Sequence, residues 1–213
     1  MWRNMPATVK AMFKHTELQS VLTMNKTPLG NRILTRAIVE RYNPITNTFQ
    51  FPNVELSLTP EMFQAYTNLP SSDIPLSWDG CPSVDDMDFS DFFGNVPGVE
   101  DVGPTIEFKF LFDNFFYADP DLPDHMAIYY ARALACAVAS ILFSDLSGRR
   151  MQGYWACLFH DLRIVDRMDW NGAAYGHLMD SVRVWKTSGV LGTQYVCGLW
   201  FVLEVSVYIL QFQ

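Results

Sequence analysis

Two long apolar stretches in the second half of the chain most constrain its fold. Met126 to Phe143 is rich in alanine and carries Arg132 within it, and Tyr195 to Phe212 has Glu204 as its single charge. Runs of this length are too long for ordinary strands and suit helices. A charge in mid-span is costly in lipid, and the second run lacks flanking basic residues. We therefore expect both stretches to be buried core helices of a soluble protein.

Apolar residues at helical spacing predict further helices along most of the chain. The predicted helices cover residues 7–22, 31–41, 60–68, 84–93, 105–116, 124–143, 149–162, 170–187 and 193–212. Between Thr48 and Leu58, apolar and polar residues alternate on both sides of Pro52-Asn53, which predicts a short β-hairpin. Thr59 as N-cap and Pro60 at the first helical position then begin the next helix.

These patterns together predict a mainly α fold. We expect a single-domain helical bundle with one small β-hairpin near residues 48–58. Residues 1–26 form an N-terminal extension or helix in this interpretation, and residues 27–213 form the domain proper. The chain shows no βαβ alternation and no repeat of the length typical of solenoid proteins.

Charge is distributed unevenly along the chain. The protein has 15 lysines and arginines against 23 acids, a net charge of −8. Residues 71–125, here called the acidic segment, hold 13 of those acids and one base, Lys109. Such a segment repels phosphate backbones and anionic membranes, so direct nucleic-acid binding and membrane attachment are disfavoured. Its run Asp85, Asp86, Asp88 and Asp91 is instead a candidate surface for protein partners.

Tests for known catalytic and ligand-binding motifs fail. The chain has neither GxxxxGK[ST] nor GxGxxG for phosphates, and its four cysteines and four histidines are scattered without zinc-site spacing. An EF-hand counted from Asp86 would need glycine and glutamate where Asp91 and Pro97 stand. Cys157 and His160 share a helical face but lack a third orienting group. We expect no enzyme activity, cofactor, metal or small-molecule substrate, in a reducing intracellular setting.

Several stretches in a fixed order carry a family resemblance. The first runs from Ala37-Ile-Val-Glu-Arg-Tyr-Asn-Pro to Phe51 and continues through Glu55 and Thr59. The second runs from Tyr130-Ala-Arg132 to Ser147-Gly148, and the third is Met168-Asp-Trp-Asn-Gly172 with the Cys197-Gly-Leu-Trp stretch after it. Over residues 31–212 this set resembles the plant mobile domain, a family also described as aminotransferase-like. The matching motif residues are Glu40, Arg41, Phe49, Glu55, Thr59, Arg132, Asp145, Gly148, Trp170, Gly172, Gly198 and Glu204.

Departures from the family pattern suggest a divergent member, such as one carried by a transposable element. Asn53-Val54 stands where the family usually has glycine before Glu55, and Asn171 is inserted between Trp170 and Gly172. The resemblance implies a nuclear plant protein acting in transposable-element silencing, genome stability and meristem maintenance. It also implies protein partners, among them a phosphatase-like protein of the same family.

Three functions from different classes stay open on the sequence. The first is a non-enzymatic protein-interaction or scaffold domain, the second an orphan enzyme of hydrolase or phosphatase-linked type, and the third a transposon-derived nucleic-acid-binding domain. The motif residues also have structural roles to fill. Arg132 is expected to pair with a buried acid, for which Glu55, Asp145 and Glu204 are the candidates. Trp170 is expected to pack over a helix start, and Gly172 to allow close helix approach.

Overall fold

The computed structural model describes residues 5–14, 16, 18–23, 32–77, 79–117, 119, 122–143, 150–188 and 202–203. Within them the chain is mainly helical with a few short antiparallel strands. The helices are α1 (Ala7–Lys14), α2 (Gln19–Thr23), α3 (Arg32–Glu40), α4 (Pro60–Thr67), α5 (Phe89–Phe93), α6 (Phe108–Phe115), α7 (Ala127–Leu142), α8 (Tyr154–Leu158) and α9 (Trp170–Ser188). The strands are β1 (Tyr42–Asn43), β2 (Thr48–Phe51), β3 (Val54–Leu56), β4 (Thr105–Glu107) and β5 (Arg150–Gln152).

The predicted hairpin is confirmed and gains a third strand. β2 pairs with β3 through Phe49 opposite Leu56, and β1 lies on the other side of β2. Tyr42 packs against Phe49 with ring centroids 5.2 Å apart, and its hydroxyl donates to Asn47 Oδ1 at 2.5 Å. Asn47 occupies the left-handed region at φ 57°, which asparagine tolerates in tight turns. One face of this small sheet therefore joins the core.

Helix α4 begins and ends where the sequence predicts. The Thr59 side chain accepts a hydrogen bond from the backbone N–H of Met62, which satisfies one of the free donors of the first turn. Pro60 takes the first helical position. Asn68 ends the helix in the left-handed conformation, and its N–H donates to the Gln64 carbonyl. Short-range capping chemistry decides these bounds.

Helix α7 is the central element of the core. Nearly all of its alanines, together with Leu134, Cys136 and Val138, are fully or almost fully buried. It contacts α1, α5, α6 and α8, and its small side chains let these helices approach closely. α1 contributes Val9 and Phe13 to the same hydrophobic cluster. The predicted boundary between residues 26 and 27 stays a prediction, but α1 packs directly on α7.

Four predicted helices differ from the structure. Residues 7–22 break at Thr16, whose hydroxyl donates to the Phe13 carbonyl, so two shorter helices replace one. Residues 84–93 divide because Asp88 caps a new helix by accepting from the N–H of Ser90. Residues 105–107 form β4, and 150–152 form β5, where two helices were expected to begin.

The β4–β5 pair explains the last two differences. Ile106 lies opposite Met151, and Arg150 forms an ion pair with Glu107 across the strands at 2.9 Å. The N–H of Gly153 then donates to the Pro104 carbonyl at 2.7 Å. A Cβ on Gly153 would come within 2.8 Å of the Gly103 carbonyl oxygen, so only glycine fits this close approach. Pairing between segments far apart in sequence overrides their helical pattern.

The prediction for residues 193–212 falls almost wholly outside the described residues. Val202 and Leu203, within that range, are helical and buried. The motif residues Asp145, Gly148, Gly198 and Glu204 also lie outside the described residues.

Candidate functional site

Among the described residues, the hydrogen-bond partners of Arg132 are backbone carbonyls. Its guanidinium donates to the carbonyls of Asp91 at 3.1 Å and Phe92 at 3.4 Å, both in α5, and to the carbonyl of His160 at 3.0 Å. The guanidinium carbon also lies 5.1 Å from the centre of the Phe92 ring. Carbonyls in the last turn of a helix lack partners within it, so Arg132 supplies a cap to α5.

The predicted partner Glu55 is wrong for Arg132. Glu55 is exposed on β3 and accepts a hydrogen bond from the Thr48 hydroxyl at 2.5 Å, which lowers the pKa of its carboxyl group. The other two candidates, Asp145 and Glu204, lie outside the described residues. Burial lowers the pKa of Arg132, and its buried Nε–H has no hydrogen-bond partner among the described residues. Arg132 therefore ties α5, α7 and the turn after α8 together.

Trp170 is the centre of a buried aromatic stack. Its ring lies nearly parallel to that of Phe159, with centroids 5.7 Å apart and an angle of 9°. Its indole N–H donates to the Val165 carbonyl at 2.6 Å. Trp155 and Phe143 complete the stack on the side toward α7 and α8. Trp170 thus holds the first residue of α9 in the core.

The atoms closest to a Cβ at Gly172 belong to the Asp169 side chain. The Asp169 carboxylate accepts a hydrogen bond from the N–H of Gly172 at 2.9 Å and so caps α9. A Cβ at Gly172 would lie 2.0 Å from Asp169 Oδ2. The inserted Asn171 is buried and donates from Nδ2 to the Pro60 carbonyl at 3.1 Å, which joins α9 to the start of α4.

Glu40 and Arg41 line a shallow polar depression at the end of α3. Its volume is about 390 Å³, and its walls also include Tyr42, Asn43, Pro44, Gln50 and Lys186. Lys186 donates to the Glu40 carbonyl at 2.6 Å, and the Glu40 carboxylate pairs with Arg36. Histidine, cysteine, serine and threonine are absent from this lining. The lining therefore lacks a serine or cysteine nucleophile and a histidine base.

The motif residues that the structure describes do not converge on one cleft. Phe49 is buried in the small sheet, Thr59 caps α4, and Glu55 faces solvent on β3. Arg132 and Trp170 are linked indirectly, because His160 accepts from Arg132 while the preceding residue, Phe159, stacks on Trp170. These described motif residues have structural roles at separate places.

Cys157 and His160 do not form a catalytic pair. Helix α8 ends at Leu158, so His160 lies in the following turn with an exposed side chain. Cys157 is buried, with its sulfur 3.9 Å from the sulfur of Met87, and burial raises the pKa of its thiol. Burial raises the pKa of the Cys136 thiol well above its ordinary value too. Protonated thiols are weak nucleophiles and weak metal ligands.

The part of the chain that the structure describes contains no group of three potential metal-binding side chains.

The acidic residues singled out in the sequence lie at the surface near α5. Asp85 and Asp86 form a short 3-10 turn capped by Ser83, Asp88 caps α5, and Asp91 is exposed on its first turn. The same segment packs inward through Phe89, Phe92 and Phe93. The carboxylates therefore face solvent, while the phenylalanine side chains of the same segment anchor it in the core.

A cluster of three aromatic rings, two of them exposed and one partly buried, lies in the same segment and was missed by the sequence interpretation. Phe112 and Phe116 stack with centroids 4.3 Å apart, and Tyr117 meets Phe112 edge-on at 5.8 Å. Tyr117 is 74% exposed and Phe112 is 38% exposed. We call these three residues the aromatic cluster. The signal in the sequence is that residues 108–117 hold more aromatic rings than one face of a short helix can bury.

The inner face of the same helix explains why these rings are left outside. Leu111 and Phe115 are buried, and Phe115 packs on Phe93 with centroids 5.6 Å apart and on Tyr130 at 5.2 Å. Those contacts fix the rotation of α6 about its axis. Phe112 is then exposed on the outer side of α6. Phe116 and Tyr117 follow the last residue of the helix, and their rings pack beside that of Phe112.

One helical stretch of the described residues, Asp124–Leu142, is long and apolar enough to cross a membrane by length and composition. Of its apolar window, 56% is buried inside the protein, and core helices meet the same criterion. This stretch includes α7, whose packing against four other helices is described above.

Comparisons with known proteins find no relative. No protein-family model matches the chain, and neither a curated protein nor a solved structure matches it. The resemblance to the plant mobile domain and the functions that it implies therefore stay predictions. The candidate site stands on its geometry alone.

Proposed function

We propose that this chain is a non-enzymatic protein-interaction domain that binds a partner through the aromatic cluster and the acidic surface around it. The supporting observation is the stack of Phe112, Phe116 and Tyr117, which leaves large ring surfaces in solvent. Aromatic residues are enriched at protein interfaces because rigid rings bury much area at a small cost in conformational entropy.

The aromatic cluster has two properties of a protein-binding surface: a well-packed helix beneath it and a polar border. α6 is anchored through Leu111 and Phe115 on the core, so the exposed rings are held by a rigid element. The Lys109–Asp113 ion pair lies along the same helix and gives the rings a polar border. An apolar centre with a polar rim is the usual anatomy of an interface.

The proposal includes a single-domain helical bundle that acts as a scaffold, with no catalytic step, cofactor or small-molecule substrate. It is supported by the spread of the described motif residues over separate structural roles and by the raised pKa values of the Cys136 and Cys157 thiols. The resemblance to the plant mobile domain supplies the context. We propose a nuclear plant protein, cellular or transposon-carried, that acts in transposable-element silencing, genome stability and meristem maintenance with protein partners.

Affinity purification from plant nuclei tests this proposal with matched variants. The tagged full chain is compared with the double variant Phe112→Ser/Tyr117→Ser and with the control Ile45→Ser, which alters a side chain that is 92% exposed in a different turn. We expect a set of proteins that the wild type and the control retain and the double variant loses. Equal recovery by all three chains would contradict the assignment of this surface.

A further inference from the structure

We infer that the aromatic cluster receives a lysine or arginine side chain from a basic segment of the partner protein. This inference rests on the proposed function and names the chemistry of the partner. Two observations carry it: ring faces that are exposed to solvent, and the net negative charge of the segment to which the rings belong.

The geometry of the cluster suits a cation. Phe112 and Phe116 are inclined by 31° with centroids 4.3 Å apart, and Tyr117 stands against Phe112 at 87°. The rings pack directly on one another, so the surface open to a cation is their outer faces, chiefly that of Tyr117, which is 74% exposed. The chain already uses such a contact inside the fold, where the Arg132 guanidinium lies over Phe92.

The negative charge of the acidic segment favours a positively charged partner. Residues 71–125 carry 13 acids and one base, and the side chains of Asp85, Asp86, Asp88, Asp91, Glu100, Asp101, Glu107, Asp113, Asp119 and Asp124 are all exposed. Two of these acids are neutralised by cations, Asp113 by Lys109 and Glu107 by Arg150. The net negative charge of the segment attracts a basic segment of a partner and speeds its association at low salt.

Other occupants fit less well. A second copy of this chain would bring the same acidic segment to the contact, so like charges would oppose it. Nucleic acid is repelled for the same reason. An apolar segment would cover the rings but would gain nothing from the carboxylates. A basic protein segment uses both features.

Peptide binding to the full chain tests the inference directly. Four synthetic peptides of equal length, each with a fluorescent label, are titrated with the full chain while peptide anisotropy is followed: an arginine-rich, a lysine-rich, a citrulline-for-arginine and an aspartate-rich peptide. We expect the two basic peptides to bind and their affinity to fall steeply with added salt, and the citrulline and aspartate peptides to bind at least tenfold more weakly. Equal binding of the arginine and citrulline peptides, or absence of binding by both basic peptides, overturns the inference.

Variants of the cluster locate the site. Tyr117→Phe keeps a ring face and retains affinity, whereas Tyr117→Leu keeps apolar bulk without a ring and weakens the arginine peptide about two- to fivefold, the size of an exposed cation–π contact. Lys109→Ala removes a competing cation beside the rings and strengthens binding about twofold. Wild-type affinity in Tyr117→Leu overturns the assignment to this cluster, and Ile45→Ser serves as the unrelated surface control.

The two tests fail independently. If nuclear partners depend on Phe112 and Tyr117 but the basic peptides do not bind, the proposed interaction surface stands and the inferred partner chemistry is wrong. If the wild type and the double variant recover the same partners, the proposed function of this surface is wrong whatever the peptides do.

Discussion

The rings of Trp170 and Phe159 lie almost parallel, 9° apart in orientation and with centroids separated by 5.7 Å. The contact joins the first residue of α9 to the turn that follows α8. His160, next in the chain, accepts from Arg132 on α7. The adjacent residues Phe159 and His160 thus connect Trp170 with Arg132. Phe159 packs on Trp170, and the His160 carbonyl accepts a hydrogen bond from Arg132.

Replacement of Trp170 tests this stack. Trp170→Phe keeps an aromatic ring but leaves the Val165 carbonyl without its donor, so we expect a loss of about 1–3 kcal/mol in the free energy of unfolding. Trp170→Ala also removes the buried ring and is expected to cost about 3–5 kcal/mol. Urea denaturation followed by circular dichroism measures both values. A Phe variant as unstable as the Ala variant would contradict the separation of stacking from hydrogen bonding.

Arg132 offers a test that separates carbonyl partners from an acidic partner. Arg132→Met removes the donors to the carbonyls of Asp91 and His160, and we expect a loss of about 1–3 kcal/mol. Carbonyls do not titrate, so the difference between wild type and variant stays nearly constant from about pH 7 to about pH 4, near the ordinary pKa of carboxyl groups. The measurement is urea denaturation at several pH values. A difference that shrinks steadily toward low pH would indicate a carboxylate partner instead.

Gly172 and Asp169 are coupled by geometry. Gly172→Ala places a Cβ 2.0 Å from the Asp169 carboxylate oxygen, which must move and lose its hydrogen bond to the helix, and we expect a cost of about 1–3 kcal/mol. In an Asp169→Ala background the obstacle is gone, and alanine is then favoured over glycine within a helix by about 1 kcal/mol. A double-mutant cycle measures the coupling. Additive effects would show that the two residues act separately.

Asp161 provides a prediction about pH. Hydrogen bonds from Arg163 hold the pKa of the Asp161 carboxyl at about 2, below its ordinary value. Because the folded-state pKa is depressed, the stabilisation is present above the unfolded pKa and is lost as the pH falls from the ordinary value toward about 2. The pair is exposed, so its effect on stability is small. A carboxyl titration by NMR should show the low midpoint, and Arg163→Ala should raise it toward the ordinary value; an unchanged midpoint would exclude Arg163 as the cause.

The aromatic cluster and the core beneath it should respond differently to substitution. Tyr117→Ser removes a ring that is 74% exposed, and we expect a change within about 0.5 kcal/mol. Phe115→Ala, two positions earlier and fully buried, is expected to cost about 3–5 kcal/mol. Thermal or urea unfolding of the two variants checks this contrast. A large loss in Tyr117→Ser would mean that the ring supports the fold rather than a free surface.

Local rules in the sequence determined the elements whose causes are local. The alternation around Pro52-Asn53 predicts the hairpin, Thr59 and Pro60 predict the start of α4, and the alanine-rich stretch after Asp124 predicts the central helix. Capping, pleat alternation and helical periodicity each act within a few residues, so they are legible without tertiary contacts. The mainly helical class follows from the same patterns.

Tertiary structure alone decided the contacts between distant segments. Pairing of Ile106 with Met151 turns two helical patterns into strands, because a ladder of hydrogen bonds forms between segments that no local rule relates. Arg132 donates to backbone carbonyls that no local pattern predicts, because packing of α5 and α8 against α7 brings those carbonyls within reach. The exposure of Phe112 and Tyr117 depends on how α6 is rotated by its contacts with Phe93 and Tyr130. The sequence by itself determined the helices and their caps, while the surface that we propose for partner binding exists only because the packed core leaves those rings outside.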